Sequence, residues 1–416
     1  MSDTRKPKIL HVLPIPLFPI IGPCLRTFRQ SRGALRHGCE VAILCRKPFA
    51  GRGAESERGK EQLPEGVHVF DPIPSYGNFV LRELGHLFLS WRAVLYVLKT
   101  FQPDVVHVHN YPVTLGFVTV LICSLKRIPV IYDIHDGWYE SISAMEMNPV
   151  LKSLYLYTGL VLEIMSLRHC SGILTVSNAL RTSIAGRAAV HIKKKPFLVM
   201  RNIDDTVFPD PACTPAEEKD TLLFSGTLFD SYIGLEDVMD ILKNLRDIPG
   251  LRLIIAGDGP YRQGLERAAM KKGVADKVQF LGHIPRAQLI ELIRRSKLCL
   301  IPFRKNLITA FAVPNKLFEY MALGKAFVYP DLGGFREVLG EGNAGEYPAG
   351  SVSSMKDAIR RLITDDRMRS LQGSRNRELF SRLTFEGEFS QLWNLYAGAC
   401  PWMFGSGGKD YAGAPA

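Results

Sequence analysis

Short, nearly unbroken apolar runs recur along this chain, and stretches of helical periodicity separate them. Lys8–Leu13, Val41–Cys45, Val67–Phe70, residues 103–110, 129–138 and 171–177, and Phe197–Met200 read as strands of a first half. Leu222–Leu228, Leu251–Pro260, Val278–Gly282, Leu298–Pro302 and Ala326–Tyr329 repeat the pattern in a second half. Runs this apolar, closed by Gly, Pro or polar residues, are those of buried parallel strands. Between the first two, Leu25, Phe28 and Leu35 sort onto one helical face and Arg26, Arg29, Arg32 and Arg36 onto the other, with Gly38 as the stop. Phe79–Thr100 reads as one or two outer helices, either a membrane-contacting surface or a packed core. Residues 150–170 form an apolar helix rich in Leu and Tyr.

This alternation predicts an α/β chain of two doubly wound, Rossmann-like domains facing across a ligand cleft. The expected domains are 1–208 and 209–384, joined by the linker Asp210–Pro215. A last helix at about 385–400, with Phe389, Leu392, Trp393 and Tyr396 on one face, is expected to cross back to the first domain. Residues 405–416 are Gly- and Ala-rich and read as a disordered tail.

One stretch of the second half carries a chemical pattern. Pro314 opens a helix whose apolar stripe is Leu317 and Met321, flanked by Phe318 and Ala322, and Gly324 ends it. Lys316 and Glu319 are three apart, so they project from one face near the N-terminus. A helix start at Pro314-Asn315 with a lysine seats an anion, and a carboxylate one turn on accepts two hydroxyls. That equipment suits a nucleotide sugar. An ordinary surface ion pair is the competing reading.

Composition narrows the classes. At 416 residues, 46% hydrophobic and 22% charged, the chain is an ordinary globular one, too long for a single core. No signal peptide is read at Met1–Lys6. The apolar run Tyr111–Leu125 is too short to span a bilayer. The eight cysteines are scattered without a Cys-x-x-Cys, which predicts reduced, buried thiols in a cytoplasmic protein. Charge is uneven: residues 1–200 hold 24 Lys and Arg against 14 Asp and Glu, and the remaining 216 hold 28 against 27. A basic first half fits an anionic partner. Nucleic acid is disfavoured, because no basic stripe interleaved with aromatics is present. The loop after the first strand has one glycine before its helix, Gly22, and no G-x-G-x-x-G, which weighs against NAD or FAD.

Ligands of parallel sheets bind beyond the carboxyl ends of strands, where His109, His135 and Asp136 fall. Such a His donates to a sugar hydroxyl, a phosphate or a main-chain carbonyl. A metal site is the weaker alternative, since nothing in the sequence fixes a third ligand.

Together these motifs resemble the family-4 glycosyltransferases of the GT-B fold. The resemblance rests on Asp104-Val-Val-His107-Val-His109, the His135 segment, Thr175-Val-Ser177, Arg201-Asn202-x-x-Asp205-x-x-Phe208 and Ser225-Gly226-Thr227-Leu228. It also rests on Ala256-Gly257-Asp258-Gly259-Pro260, Phe280-Leu281-Gly282, Gly333-Gly334-x-x-Glu337-Val338 and the Pro-Asn-Lys-Leu-Phe-Glu-Tyr-Met-Ala run. That last run is similar to a bacterial subgroup building lipid-linked polysaccharide repeats. The resemblance implies retaining transfer of a sugar from a nucleotide-diphosphate donor, the donor being a substrate and no metal or other cofactor being required.

Glu319 matches the second Glu of the family's E-x7-E motif, which binds the donor ribose. Gly226 and Thr227 match the loop near the diphosphate, with the Gly257 turn beside it. His135 matches the histidine near the transferred sugar, and Asp136 is its expected catalytic neighbour. The donor set is therefore Gly226, Thr227, Gly257, Pro314, Asn315, Lys316 and Glu319. Gly22, Arg26 and His109 are expected to face the acceptor, a glycan or a polyprenyl-phosphate-linked one, with peripheral contact to the inner membrane face. Two departures stand out: Phe311 occupies the place of the first Glu, and Ile233 that of a phosphate-binding Lys. Arg304 and Lys305 are reserve cations. Alternatives are a sugar-nucleotide epimerase on the same fold and a catalytically weak paralogue that binds a partner.

Overall fold

The structure, a computed structural model, describes residues 5–17, 22–47, 63–73, 79–110, 113–144, 147–204, 208 and 220–401. The polar stretch 48–62, Asp205, the linker Asp210–Pro215 and the tail 405–416 lie outside them. The chain divides into two compact units, Met1–Arg201 with Phe385–Ala416, and Asn202–Thr384. The division falls ahead of residue 208, since Ile203 packs in the second unit's core and Asp204 pairs there with Arg286.

The first unit is a seven-stranded sheet: β1 (Lys8–Pro16), β2 (Glu40–Arg46), β3 (Val67–Ile73), β4 (Val105–His109), β5 (Val130–Ile134), β6 (Gly172–Thr175) and β7 (Phe197–Val199). Its order is β3-β2-β1-β4-β5-β6-β7, with every pairing parallel. β1 runs past the expected Leu13 to Pro16, because β4 pairs with it only as far as Val12. Beyond that point a proline removes no hydrogen bond from a doubly paired strand.

The second unit is a six-stranded parallel sheet: β8 (Thr221–Ser225), β9 (Arg252–Ala256), β10 (Val278–Gly282), β11 (Leu298–Leu300), β12 (Phe327–Pro330) and β13 (Glu346–Tyr347). Its order is β10-β9-β8-β11-β12-β13. The two-residue β13 has no apolar run to announce it in the sequence.

The C-terminal helix Phe385–Ala399 returns to the first unit, where Phe389, Leu392 and Tyr396 are fully buried beside Ile9, Val41, Val105 and Ile131. Gly33 permits this, because a Cβ there would stand 2.5 Å from the Phe389 ring. The helix Gly22–Arg36 departs from its expected two faces: Arg26 and Arg29, placed on the polar side, are buried. Helical spacing assigns arginine to solvent and cannot see a buried partner across the sheet.

Among the described residues one helix, Pro149–His169, is long and apolar enough to cross a membrane by length and composition, longer than the run Tyr111–Leu125. It is held to its unit by a close approach: a Cβ on Gly159 would lie 1.9 Å from the Trp138 ring. Gly159→Ala is expected to cost about 1–3 kcal/mol of stability despite alanine's better helix propensity. The urea midpoint measures this, and an unchanged midpoint would show the Trp138 ring free to move away from the helix.

Candidate active site

In the second unit the order of strands reverses between β8 and β11, and such switch points open a crevice beyond the strands' carboxyl ends. Three segments meet there. The loop Gly226–Leu228 leaves β8, the turn Gly257–Pro260 leaves β9, and the helix Asn315–Ala322 follows β11. The two loops touch through backbone: Gly226 N donates to Ala256 O (2.9 Å) and Leu228 N to Asp258 O (2.9 Å). A Cβ on Gly257 would lie 1.9 Å from Gly226 O, so that turn admits only glycine.

Pro314 stands just before the helix, extended at φ −73° and ψ 147°, and Asn315 is its first residue. Leu317 and Met321 are fully buried, and Tyr320 OH bonds Ser225 Oγ (3.0 Å) at the end of β8. These contacts fix the helix, and Gly324 ends it at φ +62°.

Lys316 and Glu319 are buried, 9% and 8% exposed, which removes the surface ion-pair reading. The Lys316 ammonium lies over the Phe224 ring, 3.6 Å from its centroid, with Phe303 at 5.4 Å. It forms no hydrogen bond or ion pair among the described residues. Burial pushes its pKa down to about 7, against the pull of Glu319. Gly226 makes room for it: a Cβ there would stand 2.8 Å from Lys316 Nζ, at a φ of +134°. Glu319 pairs instead with Arg286, whose Nη1 donates to Oε1 (3.0 Å) while Nη2 bonds Asp204. An uncommitted ammonium, an oriented carboxylate and glycine loops beside a helix start can take a phosphate and a diol.

In the first unit the strand order reverses between β1 and β4. His11, His107, His109 and Asp133 lie on one face of these strands and β5, all buried. Arg26 grips Asp133 through Nε (2.8 Å) and Nη2 (3.0 Å) and donates from Nη1 to Met200 O (2.9 Å). Gln30 Nε2 (2.8 Å) and His107 Nε2 (3.2 Å) also reach Asp133 Oδ2. Burial disfavours the Asp133 charge, but Arg26 and His107 overcome it and hold the carboxyl well below its usual range. Burial likewise lowers His11, His107 and His109, leaving neutral imidazoles.

His135 follows β5, packed edge-on with His109 (centroids 5.6 Å), and its Nδ1 has no hydrogen-bond partner among the described residues. Burial lowers its pKa also, against Asp136 and Asp133. Asp136 is exposed beside it, and Asn110 Nδ2 donates to its carbonyl (3.1 Å).

Residues 219–365 match the family Glycosyl transferases group 1, and residues 26–195 match Glycosyltransferase Family 4. The chain is 27% identical to a glycogen synthase of Mycobacterium tuberculosis over 349 residues, 79% of each chain. It is 23% identical to a phosphatidyl-myo-inositol mannosyltransferase of Mycolicibacterium smegmatis over 334 residues, 78% of each. A sucrose-phosphate synthase of Thermosynechococcus elongatus superposes with TM-score 0.74 at 15% identity, covering 94% of this chain and 98% of that one. The Anabaena protein HepE, solved in complex with UDP, superposes with TM-score 0.66 at 17% identity, covering 93% and 98%.

The chain is a GT-B glycosyltransferase.

Within this glycosyltransferase the second unit gathers Gly226, Gly257, Pro314, Asn315, Lys316 and Glu319, and Thr227 is exposed on the first of its loops. Of the expected acceptor-side residues, Gly22 begins its helix half-buried, but Arg26 and His109 require correction. Arg26 is bound to Asp133, and His109 Nε2 is taken by Thr27 Oγ1 (3.1 Å), so neither side chain faces solvent. Arg304 is similarly committed, held through two bonds of 2.7 Å to Asp237. Ile233 sits in the hydrophobic core, and Phe311 is half-buried in the turn Thr309–Phe311.

His11 is the third imidazole that sequence alone did not supply. Its ligand atom and those of His107 and His109 lie within 4.8 Å of one another. The residues do not fit a metal, since both ring nitrogens of His107 are engaged, by Tyr396 OH (2.8 Å) and Asp133. Sequence reasoning also missed Asp133, Arg286 and Asp204. Asp133 had a signal, a carboxylate inside the apolar run Val130–Ile134. Arg286 and Asp204 had none.

Proposed function

We propose that this glycosyltransferase moves a sugar, with retention of configuration, from a nucleoside-diphosphate donor to a glycan or polyprenyl-phosphate-linked acceptor in the cytoplasm. The observation that carries the reading is the unpaired, buried Lys316 ammonium beside Glu319 at the switch point of the second sheet. The donor's diphosphate takes Lys316 and the N–H groups at Asn315. The ribose hydroxyls take Glu319, whose Oε2 has no hydrogen bond among the described residues and which Arg286 holds in place. The leaving diphosphate gains charge as the glycosidic bond breaks, so a fixed cation there stabilises the transition state more than the ground state. Retention follows when the acceptor attacks the face the phosphate vacates. No carboxylate pair at the reacting carbon is then needed. His135, neutral and with a free Nδ1, is the group offered to the transferred sugar, and Asp136 lies beside it.

A thermal-shift panel of nucleoside-diphosphate sugars identifies the donor. Proton NMR of the product's anomeric centre then reads configuration. An inverted anomer overturns retention, and a panel without a single shift overturns donor binding and favours the weak paralogue. Free nucleotide or an epimer formed without acceptor favours the epimerase. Glu319→Gln removes the charge but keeps the shape, and is expected to raise the donor KM by about tenfold. An unchanged KM would remove Glu319 from the donor site.

A further inference from the structure

The helix Pro149–His169 exposes more apolar surface than its role in the core explains. Val150, Leu151, Leu154, Tyr157 and Val161 recur at helical spacing, and each is between 43% and 76% exposed. Its other face is fixed. Gly159 lies against Trp138, and the buried Glu163 pairs with Arg187 (2.9 Å). The helix cannot span a bilayer without breaking that pair and leaving its unit.

Beside it packs the helix Val113–Leu125, and beside that the helix Phe79–Phe101. Leu125 (74%) and Tyr96 (58%) extend the exposed apolar surface. Arg92, Lys99, Lys126, Arg127 and Arg168 are the exposed charges on or just after these helices. Among the described residues, none of the three carries an exposed acidic side chain.

We propose that this face docks on an anionic lipid bilayer, with Pro149–His169 lying in the plane of the interface. Apolar side chains of such a helix sink roughly 5–10 Å into the headgroup boundary while cations at its edge meet lipid phosphates. A second copy of the chain is the poorer occupant. A two-fold contact would bring like cations together with no exposed carboxylate among the described residues of these helices to pair them. The proposal deepens the lipid-linked-acceptor reading, while its test does not depend on turnover.

The test is co-sedimentation of the full chain with vesicles of phosphatidylcholine, alone or mixed with phosphatidylglycerol. The mixed vesicles are expected to retain the protein, less so at high salt. Leu154→Glu with Tyr157→Glu is expected to weaken this partition at least about tenfold. Both side chains are exposed, so the thermal midpoint and transfer to a soluble acceptor stay unchanged. Lys126→Gln with Arg127→Gln is expected to weaken it about 25-fold, about fivefold for each cation near the surface. Wild-type protein left in the supernatant, or glutamate variants that bind as well as wild type, overturns the proposal. So does a dimer in light scattering that the glutamates dissolve while vesicle binding persists. Vesicle binding without transfer to any acceptor sustains the docking face and removes the transfer reading instead.

Discussion

Lys316→Met is expected to weaken nucleoside-diphosphate binding about 10- to 100-fold at neutral pH, the loss that goes with one charged hydrogen bond in a buried site. Methionine keeps the apolar stem over Phe224, so the fold should survive. The pH dependence separates this from a packing defect. Burial sets the free lysine near 7, and a bound dianion favours the ammonium, so its bound pKa is higher. Affinity must therefore fall as pH rises above about 7, by up to about tenfold per unit, until the bound pKa is passed. The phosphates themselves titrate near 6 and are silent in that window. In the Met variant the decline should vanish. Titration calorimetry between neutral and alkaline pH measures both, and a wild-type affinity flat across the window would take Lys316 out of contact with phosphate.

This site was half legible in the sequence. Lys316 and Glu319 are one turn apart on one helix, so local spacing fixes their neighbourhood whatever the tertiary fold. What spacing could not give was their state. Burial turns Lys316 into a weakly basic amine, and burial follows from Phe224 and Phe303, distant in sequence. Arg286 reaches Glu319 across 33 positions and Asp204 across 82, pairs that only the closed sheet brings together. The strands were easier. Runs such as Val41–Cys45 and Leu253–Ile255 are apolar at every position because both sheet faces are covered, and that pattern survives without any knowledge of neighbours.

The first unit shows the opposite failure. Arg26 looked like one member of a solvent-facing stripe, since four arginines recur along its helix. Its pairing with Asp133 spans 107 positions and inverts that assignment. Periodicity also named residues 150–170 apolar without distinguishing a helix sunk in the core from one whose apolar side is open. Polar residues inside apolar strands, Asp133 and His11 above all, were the legible warning.

Asp133→Ala is accordingly expected to destabilise the first unit by about 3–5 kcal/mol, because it strands a buried guanidinium. Arg26 is 2% exposed and loses both bonds to the carboxylate, keeping its bond to the Met200 carbonyl, while Gln30 and His107 each lose one bond. The double variant Arg26→Met/Asp133→Ala should recover much of the loss, since an apolar pair leaves no charge without a partner. Denaturant midpoints of the single and double variants measure both effects. Acid should expose the same layer. His11, His107 and His109 have folded pKa values below the ordinary 6.5, so the unfolded chain takes up protons first. Their contribution is complete above about 6.5 and declines below it, by up to about 1.4 kcal/mol per pH unit for each ring. Asp133, with its pKa depressed, begins to lose its contribution only below about 4. Stability of the wild type should therefore start to fall near pH 6.5, well before carboxylates titrate. A profile level down to pH 5 would mean that the imidazole layer is hydrated rather than buried.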